Sequence, residues 1–303
     1  MINPAEVSGL KIITILDNIT QTAGPVAHWG FSTLLDYEAS ARKRRVLFDT
    51  GSDRDCFLRN LKELKIDLRG IDAVVLSHGH WDHTSATVDV VKKAGGVKVY
   101  AHPSAFQPVY GINDAGERRI ISIPKGQGVA EIEAAGGEVK FSKAPVEVAP
   151  GVWTTGEVPR ISFETVMELV KERLVREGSD SPDTIPDDQS VFLRESGVGL
   201  IAVTGCAHSG PLNILNHIET LTGQRVRAMI GGTHLTGRSP EYISATIEGL
   251  RRFDLQILSP CHCTGFKTMA ELARAFPASF GLNYSGNTIE PGKLLRKRET
   301  ATL

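Results

Sequence analysis

The run Ser77-His-Gly-His-Trp-Asp-His-Thr84 gathers three imidazoles and one carboxylate, on His78, His80, Asp82 and His83, within six residues. Imidazole nitrogen and carboxylate oxygen suit borderline divalent ions, Zn first, with Mn, Fe, Co, Ni and Mg as further candidates. In a turn leaving a strand, an alternating His-x-His can aim both rings at one ion. Asp82 and His83, at the entry of the next helix, can then address a second ion beside it. Buried without metal, so dense a group would leave several ring nitrogens unsatisfied. The run therefore predicts a site for one or two divalent ions per chain.

Other candidate groups carry two readings each. His234 follows an apolar run beside Gly231-Gly232, where the backbone can approach a ligand closely. It reads as a substrate contact or as a capping or core residue. Glu157, in Thr154-Thr-Gly-Glu157, is a site carboxylate or part of a surface turn. His102, before Pro103, reads as a strand-end histidine, and His217, beside apolar positions 214, 215, 218 and 221, as an exposed helix residue. Of four cysteines, Cys56, Cys206, Cys261 and Cys263, the last two flank His262 and are too close to bridge each other. No disulfide framework is expected.

Apolar spacing supplies the elements that must position these groups. Lys11 to Leu16, Phe31 to Tyr37 and Arg45 to Phe48 read as antiparallel strands, with the basic run Arg42 to Arg45 mostly in the turn between the last two. From residue 53 helix and strand alternate: helix 56–64, strand 71–76, helix 84–93 stopped by Gly95-Gly96, and strand 97–101. That order implies parallel pairing, with loops gathered at the strand C-termini. The stretch 103–190 is less regular and reads as a lid or insertion, with a helix at 163–176 and a polar, proline-bearing loop at 178–188. Strands at 199–203, 227–230 and 256–258 then alternate with helices at 212–221 and 241–253, before a basic tail, 293–303, expected to fray. With no repeat and no long linker, residues 1–303 are read as one domain.

The chain has 303 residues, 41% of them hydrophobic and 23% charged, which excludes a disordered or fibrous protein. With 34 Lys and Arg against 35 Asp and Glu, it lacks the basic surface of a nucleic-acid binder. No apolar run approaches a membrane span, and the apolar stretch at 12–16 is too short for a signal peptide. The expected partner is a small-molecule substrate, with no nucleic acid and no membrane, in the cytoplasm. Glycine, at 30 residues, is abundant, and glycines 51, 79, 205, 210, 231, 232 and 265 fall at the turns after the expected strands.

The His-x-His-x-Asp-His run resembles the signature of the metallo-β-lactamase superfamily. Phe48-Asp-Thr-Gly51 resembles the element that precedes it, and Thr204-Gly-Cys-Ala-His-Ser-Gly210 and Ser259-Pro-Cys-His-Cys-Thr-Gly265 each deliver a histidine where the family supplies further ligands. The resemblance covers about residues 11–265 and implies an α/β (α+β) fold, a four-layer αββα sandwich with metals at one edge. It implies His78, His80 and His208 at a first ion, and Asp82, His83 and His262 at a second. Asp49 would support the ligands from behind. Two departures stand out: Glu157 occupies the place of a family histidine, and Cys206 that of a bridging aspartate. Cys206 is then a thiolate bridge or a small buried residue with no role. The resemblance also puts His28 and Trp29 near the site mouth, where with His234 they are candidate substrate contacts.

The implied activity is hydrolysis of a small ester, lactone or phosphoester by metal-activated water, with Asp82 as both ligand and catalytic proton acceptor or orienter. The Gly-Cys-Ala-His-Ser-Gly and Cys-His-Cys-Thr-Gly motifs resemble a subgroup of metal-dependent hydrolases and dihydropterin–ribofuranosylaminobenzene phosphate synthases. A synthase of methanopterin-like cofactor biosynthesis is therefore an alternative, and a di-iron redox or sensing protein another.

Overall fold

Apolar residues alternate along the central strands, and each alternate set enters a different core. The computed structural model describes residues 1–164, 172–179 and 181–301. Leu35, Val46, Phe48 and Val75 pack into one buried cluster, while Leu34, Leu47 and Val74, each one residue away, pack into another. A period of two with both faces apolar is what a sheet covered on both sides requires.

The strands Glu6–Leu16, Ser32–Ala39, Arg42–Phe48, Ala73–Val75, Lys98–Ala101 and Glu138–Phe141 lie side by side in that order, with Thr288–Ile289 on the free side of the first. The second group runs Ile257–Cys261, Val226–Gly232, Gly199–Thr204, Val191–Glu195, then Val152–Thr154 and Glu147–Ala149. The first strand joins the two groups, its start pairing in parallel with Val191–Glu195 through Glu6↔Arg194 and Val7↔Glu195. Leu35, Phe48 and Val75 from one sheet meet Val191, Val203 and Ile230 from the other in the central core. Phe57, Leu61, Val91 and Ile132 bring the helices Arg54–Glu63, Thr87–Ala94 and Val129–Ala134 onto the outer face of the first sheet. Leu215, Ile218, Leu250 and Leu272 do the same for Pro211–Thr222, Pro240–Leu250 and Phe266–Ala275 on the second. The layers are helix, sheet, sheet, helix, as expected. Among the described residues no helix is long and apolar enough to cross a membrane.

Several local expectations need correcting. Residues 42–45 are strand, because the reversal is confined to Ser40 and Ala41, both in the left-handed region (φ +52° and +57°) that a two-residue hairpin turn requires. The expected helix 84–93 divides into Trp81–Thr84 and Thr87–Ala94, the second ending at Gly95 in the left-handed region. Of the expected helix 163–176, residues 165–171 lie outside the described residues, and Glu172–Arg176 is a strand paired with Val109–Asn113. That strand, Val109–Asn113 and Arg118–Ile120 form a separate three-stranded sheet. Within the expected loop 178–188 the described residues belong to no helix or named strand, but they are not peripheral: Ile185, Asp187 and Asp188 are buried. The basic tail forms the helix Pro291–Ala301, whose Leu294 and Leu295 pack on the central core.

Glu195 is a buried acid at the seam between the sheets, accepting the Leu10 N–H at 3.2 Å. Burial raises its carboxyl to about 7, against the opposing backbone hydrogen bonds. The folded state then holds a proton that the unfolded chain has released, so this group's contribution falls as pH rises from about 4.5 towards 7. Glu195→Gln is expected to flatten that part of the stability-against-pH curve. Thermal melts of parent and variant across pH 4 to 8 (roughly the window set by the two pKa values) check this; parallel curves would remove the assignment.

Candidate metal centre

The site lies where parallel strands end. Asp49 follows the strand Arg42–Phe48, His78 and His80 follow Ala73–Val75, Cys206 and His208 follow Gly199–Thr204, His234 follows Val226–Gly232, and His262 follows Ile257–Cys261. This is the edge where an open α/β sheet exposes its loops to a ligand. Asp49, Ala207, His234 and His262 all sit in the left-handed region at φ of +60°, +59°, +49° and +51°. Each such non-glycine position costs on the order of 1–3 kcal/mol, and strain of this kind gathers at functional sites.

Two triads of ligand atoms result. His78, His80 and His208 present ring nitrogens within 4.8 Å of one another, and so do Asp82, His83 and His262 with a carboxylate oxygen among them. In the first, His78 Nε2 is 3.0 Å from His80 Nδ1 and 3.2 Å from His208 Nε2. In the second, Asp82 Oδ2 is 3.6 Å from His262 Nε2 and 3.9 Å from His83 Nε2. Cys206 Sγ stands between them, 3.1 Å from His83 Nε2 and 3.4 Å from His262 Nε2, and also groups with His78 and His83.

The hydrogen bonds behind the rings decide which nitrogens carry lone pairs. Ser77 donates its hydroxyl to Asp49 Oδ2 at 2.7 Å, so the Ser77 oxygen accepts from His78 Nδ1–H at 2.9 Å. Asp49 Oδ2 also accepts from His83 Nδ1–H at 2.6 Å, and Asn18 Oδ1 accepts from His262 Nδ1–H at 3.0 Å. In all three rings Nδ1 keeps its proton in that hydrogen bond, so Nε2 is the nitrogen turned to the cluster and the one available to an ion. Buried imidazole nitrogens gathered this closely with a carboxylate need a shared proton or a cation between them, so the donor set fits divalent ions. Burial pushes His78 and His208 well below the ordinary imidazole range, with facing rings adding to the effect. At His83 burial is opposed by Asp49 and Asp82, which hold the ring up to about 9. Burial works to raise Asp82, but the surrounding rings hold it below the ordinary carboxylate range.

The loop carrying His78 and His80 is fixed from the insertion. Gly79 N–H donates to Asp187 Oδ2 at 2.8 Å, and Arg176 pairs with Asp187 at 2.7 Å and Asp183 at 3.0 Å. A Cβ at Gly79 would stand 2.0 Å from the Ala105 carbonyl oxygen, so only glycine fits there.

The other candidates separate. Trp29, half-exposed, donates its indole N–H to Asp82 Oδ2 at 2.9 Å. Trp29 and His234 line a cavity of about 300 Å³ with His80, Asp82, Cys206, His208, His262 and Cys263. His28 is not among the lining residues and meets Ser52 Oγ at 2.7 Å. Glu157 is not in either triad; it pairs with buried His102 at 2.9 Å and with Lys143 at 3.3 Å. His217 is half-buried rather than exposed, its ring donating to the Thr155 carbonyl at 3.1 Å. Sequence reasoning missed Cys263, Trp81, Arg119 and Ile121, which also line the cavity. Cys263 lies one residue beyond His262 and Trp81 lies within the ligand run, whereas Arg119 and Ile121 come from a segment with no ligand spacing of its own.

Residues 30–209 match the family model described as the metallo-beta-lactamase superfamily. The chain is 29% identical over 296 residues to a protein of Methanocaldococcus jannaschii named 7,8-dihydropterin-6-methyl-4-(beta-D-ribofuranosyl)-aminobenzene-5'-phosphate synthase, covering 96% of this chain and 99% of that one. It is 31% identical over 265 residues to an uncharacterised protein of the same organism, covering 87% and 94%. Its structure is similar, with a TM-score of 0.77 and 26% identity, to that of Tm1679, described as a metal-dependent hydrolase of the beta-lactamase superfamily, over 93% of this chain and 98% of that one.

Proposed function

The chain belongs to the metallo-β-lactamase superfamily, and from that premise we propose that it is a metal-dependent hydrolase acting on a small ester, lactone or phosphoester. One observation carries the reading: two donor triads, with the His78, His83 and His262 rings oriented by Ser77, Asp49 and Asn18, contribute His80, Asp82, His208 and His262 to the lining of a single cavity. His78, His80 and His208 would hold one ion, and Asp82, His83 and His262 another. Bound there, divalent ions supply Lewis-acid polarisation of a carbonyl or phosphoryl oxygen and a lower pKa for the attacking water. Asp82 is the nearest carboxylate to accept or orient a proton, and the Trp29 N–H holds its Oδ2 in place. Arg119, at the cavity wall, attracts an anionic group, and the Trp29 and Trp81 rings shape a slot for an apolar or planar portion.

A second reading is favoured by that slot and by the similarity to the synthase across nearly the whole of both chains. In it the site joins a pterin pyrophosphate to a phosphorylated aminobenzene riboside. The test is metal-loaded protein offered phosphodiester, lactone and thioester substrates in one series, and the pterin and riboside pair in another. Hydrolysis in the first series, with no joined product in the second, supports the hydrolase. A joined product without net hydrolysis of the first series supports the synthase.

A further inference from the structure

Beside the two triads lies a third donor group of different chemistry. Cys206, His234 and Cys263 present ligand atoms within 4.8 Å of one another, and none is more than 8% exposed. They follow three neighbouring parallel strands, Gly199–Thr204, Val226–Gly232 and Ile257–Cys261, so the sheet itself holds them together. The His234 backbone N–H donates to Cys263 Sγ at 3.2 Å. Both ring nitrogens of His234 are buried with no hydrogen-bond partner, although the ring faces His208 at a centroid distance of 4.1 Å. A buried imidazole with neither nitrogen bonded lacks the partner its chemistry demands. A Cβ at Gly232 would stand 2.2 Å from the Gly205 carbonyl oxygen and 2.8 Å from Cys263 Sγ, so only glycine fits between the two.

We infer that Cys206, Cys263 and His234 form a third ion position, selective for a thiophilic ion of the Zn²⁺ class, with Cys206 as the corner it shares with the imidazole and carboxylate centre. Two sulfurs and one imidazole are a softer donor set than either triad offers, and thiolate donors select such ions over Mg or Mn. Metal–sulfur distances of about 2.3 Å and metal–nitrogen distances of about 2.0–2.1 Å put tetrahedral donors roughly 3.4–3.8 Å apart, which this spacing accommodates. Binding displaces both thiol protons to solvent. All three residues line the same cavity, so the fourth coordination position is open towards it.

The test is titration of the metal-free full chain with Co²⁺ alone, reading ions bound per chain and the near-ultraviolet sulfur-to-cobalt charge-transfer band. Three ions are expected for the parent, with the band present. Cys263→Ser should lose one ion and about half of the band, one of the two thiolate donors being gone. His234→Ala should also lose one ion, and it removes a ring that makes no hydrogen bond, which keeps the test available if the serine variant fails to fold. The His78→Ala, His80→Ala variant should keep the band, which separates this inference from the catalytic reading. A parent that binds no more than two ions overturns it. So does either single variant that retains the parent's ion content.

Discussion

Changing His78 and His80 together to alanine is expected to remove the ion at the first triad and, with it, at least about 10³-fold of activity, the scale set by losing metal activation of water. Only His208 would remain of that triad, and a single imidazole does not retain an ion against solvent. In that triad His78 Nε2 faces His80 Nδ1 at 3.0 Å and His208 Nε2 at 3.2 Å. Removing two of these buried rings costs packing whether or not an ion is bound. The informative comparison is the response to added metal: an ion at a hundred times its Kd stabilises the folded state by about 2.7 kcal/mol. The double variant should lose the part of the melting shift that this triad supplies. Elemental analysis and melts with and without metal measure it. Parent-like metal content in the double variant would remove the ligand assignment.

How much of this was legible in the sequence follows from how local each signal is. His78, His80, Asp82 and His83 announce themselves because four donors crowd one strand-to-helix turn. His208 and His262 each follow a β-rich run, but it is the resemblance of their motifs to the family's that marks them as ligands. The alternation of Leu34 with Leu35 and of Leu47 with Val46 and Phe48 carries the four-layer plan, since each set feeds a separate core. Trp81 sits in the ligand run but is not a ligand type, and Arg119 carries no such signal: its strand pairs locally, Gly111↔Arg119, and only the placing of that hairpin against the site brings it to the cavity. Glu172–Arg176 holds only two apolar residues, next to each other, so it sets no period of its own; pairing with Val109–Asn113 and burial of Leu174 and Val175 make it a strand. His234 and Cys263 stood in plain view without a partner in sequence. Their relation is made by two parallel strands in register from Ala228↔Ile257 to Gly232↔Cys261.

Asp49→Asn is expected to weaken metal binding at the Asp82–His83–His262 triad by about 10–100-fold while leaving the fold intact, the range found when the groups behind a ligand are changed. The substitution changes almost no volume, so its effect isolates the hydrogen bonding. Asp49 is fully buried and accepts from three donors: Ser77 N–H on Oδ1, and the Ser77 hydroxyl and His83 Nδ1–H on Oδ2. An amide has one acceptor oxygen and one donor NH₂ in those two places. If the NH₂ takes the Oδ2 place, it faces His83 Nδ1, and the ring can answer only by moving its proton to Nε2. That nitrogen is the one turned towards Cys206 and Asp82, so its lone pair is lost to the ion. If the amide turns the other way, the NH₂ faces the backbone N–H of Ser77, and the loop bearing His78 is pushed from its place. Both orientations act on the ligands, by proton position in one and by geometry in the other. Chelator competition reads the affinity, and the nitrogen shifts of His83 in the metal-free protein, taken above the ring's pKa of about 9, read its tautomer. An Asp49→Asn protein with the parent's affinity and a proton still on Nδ1 of His83 would show that Asp49 packs the turn without setting the ligand.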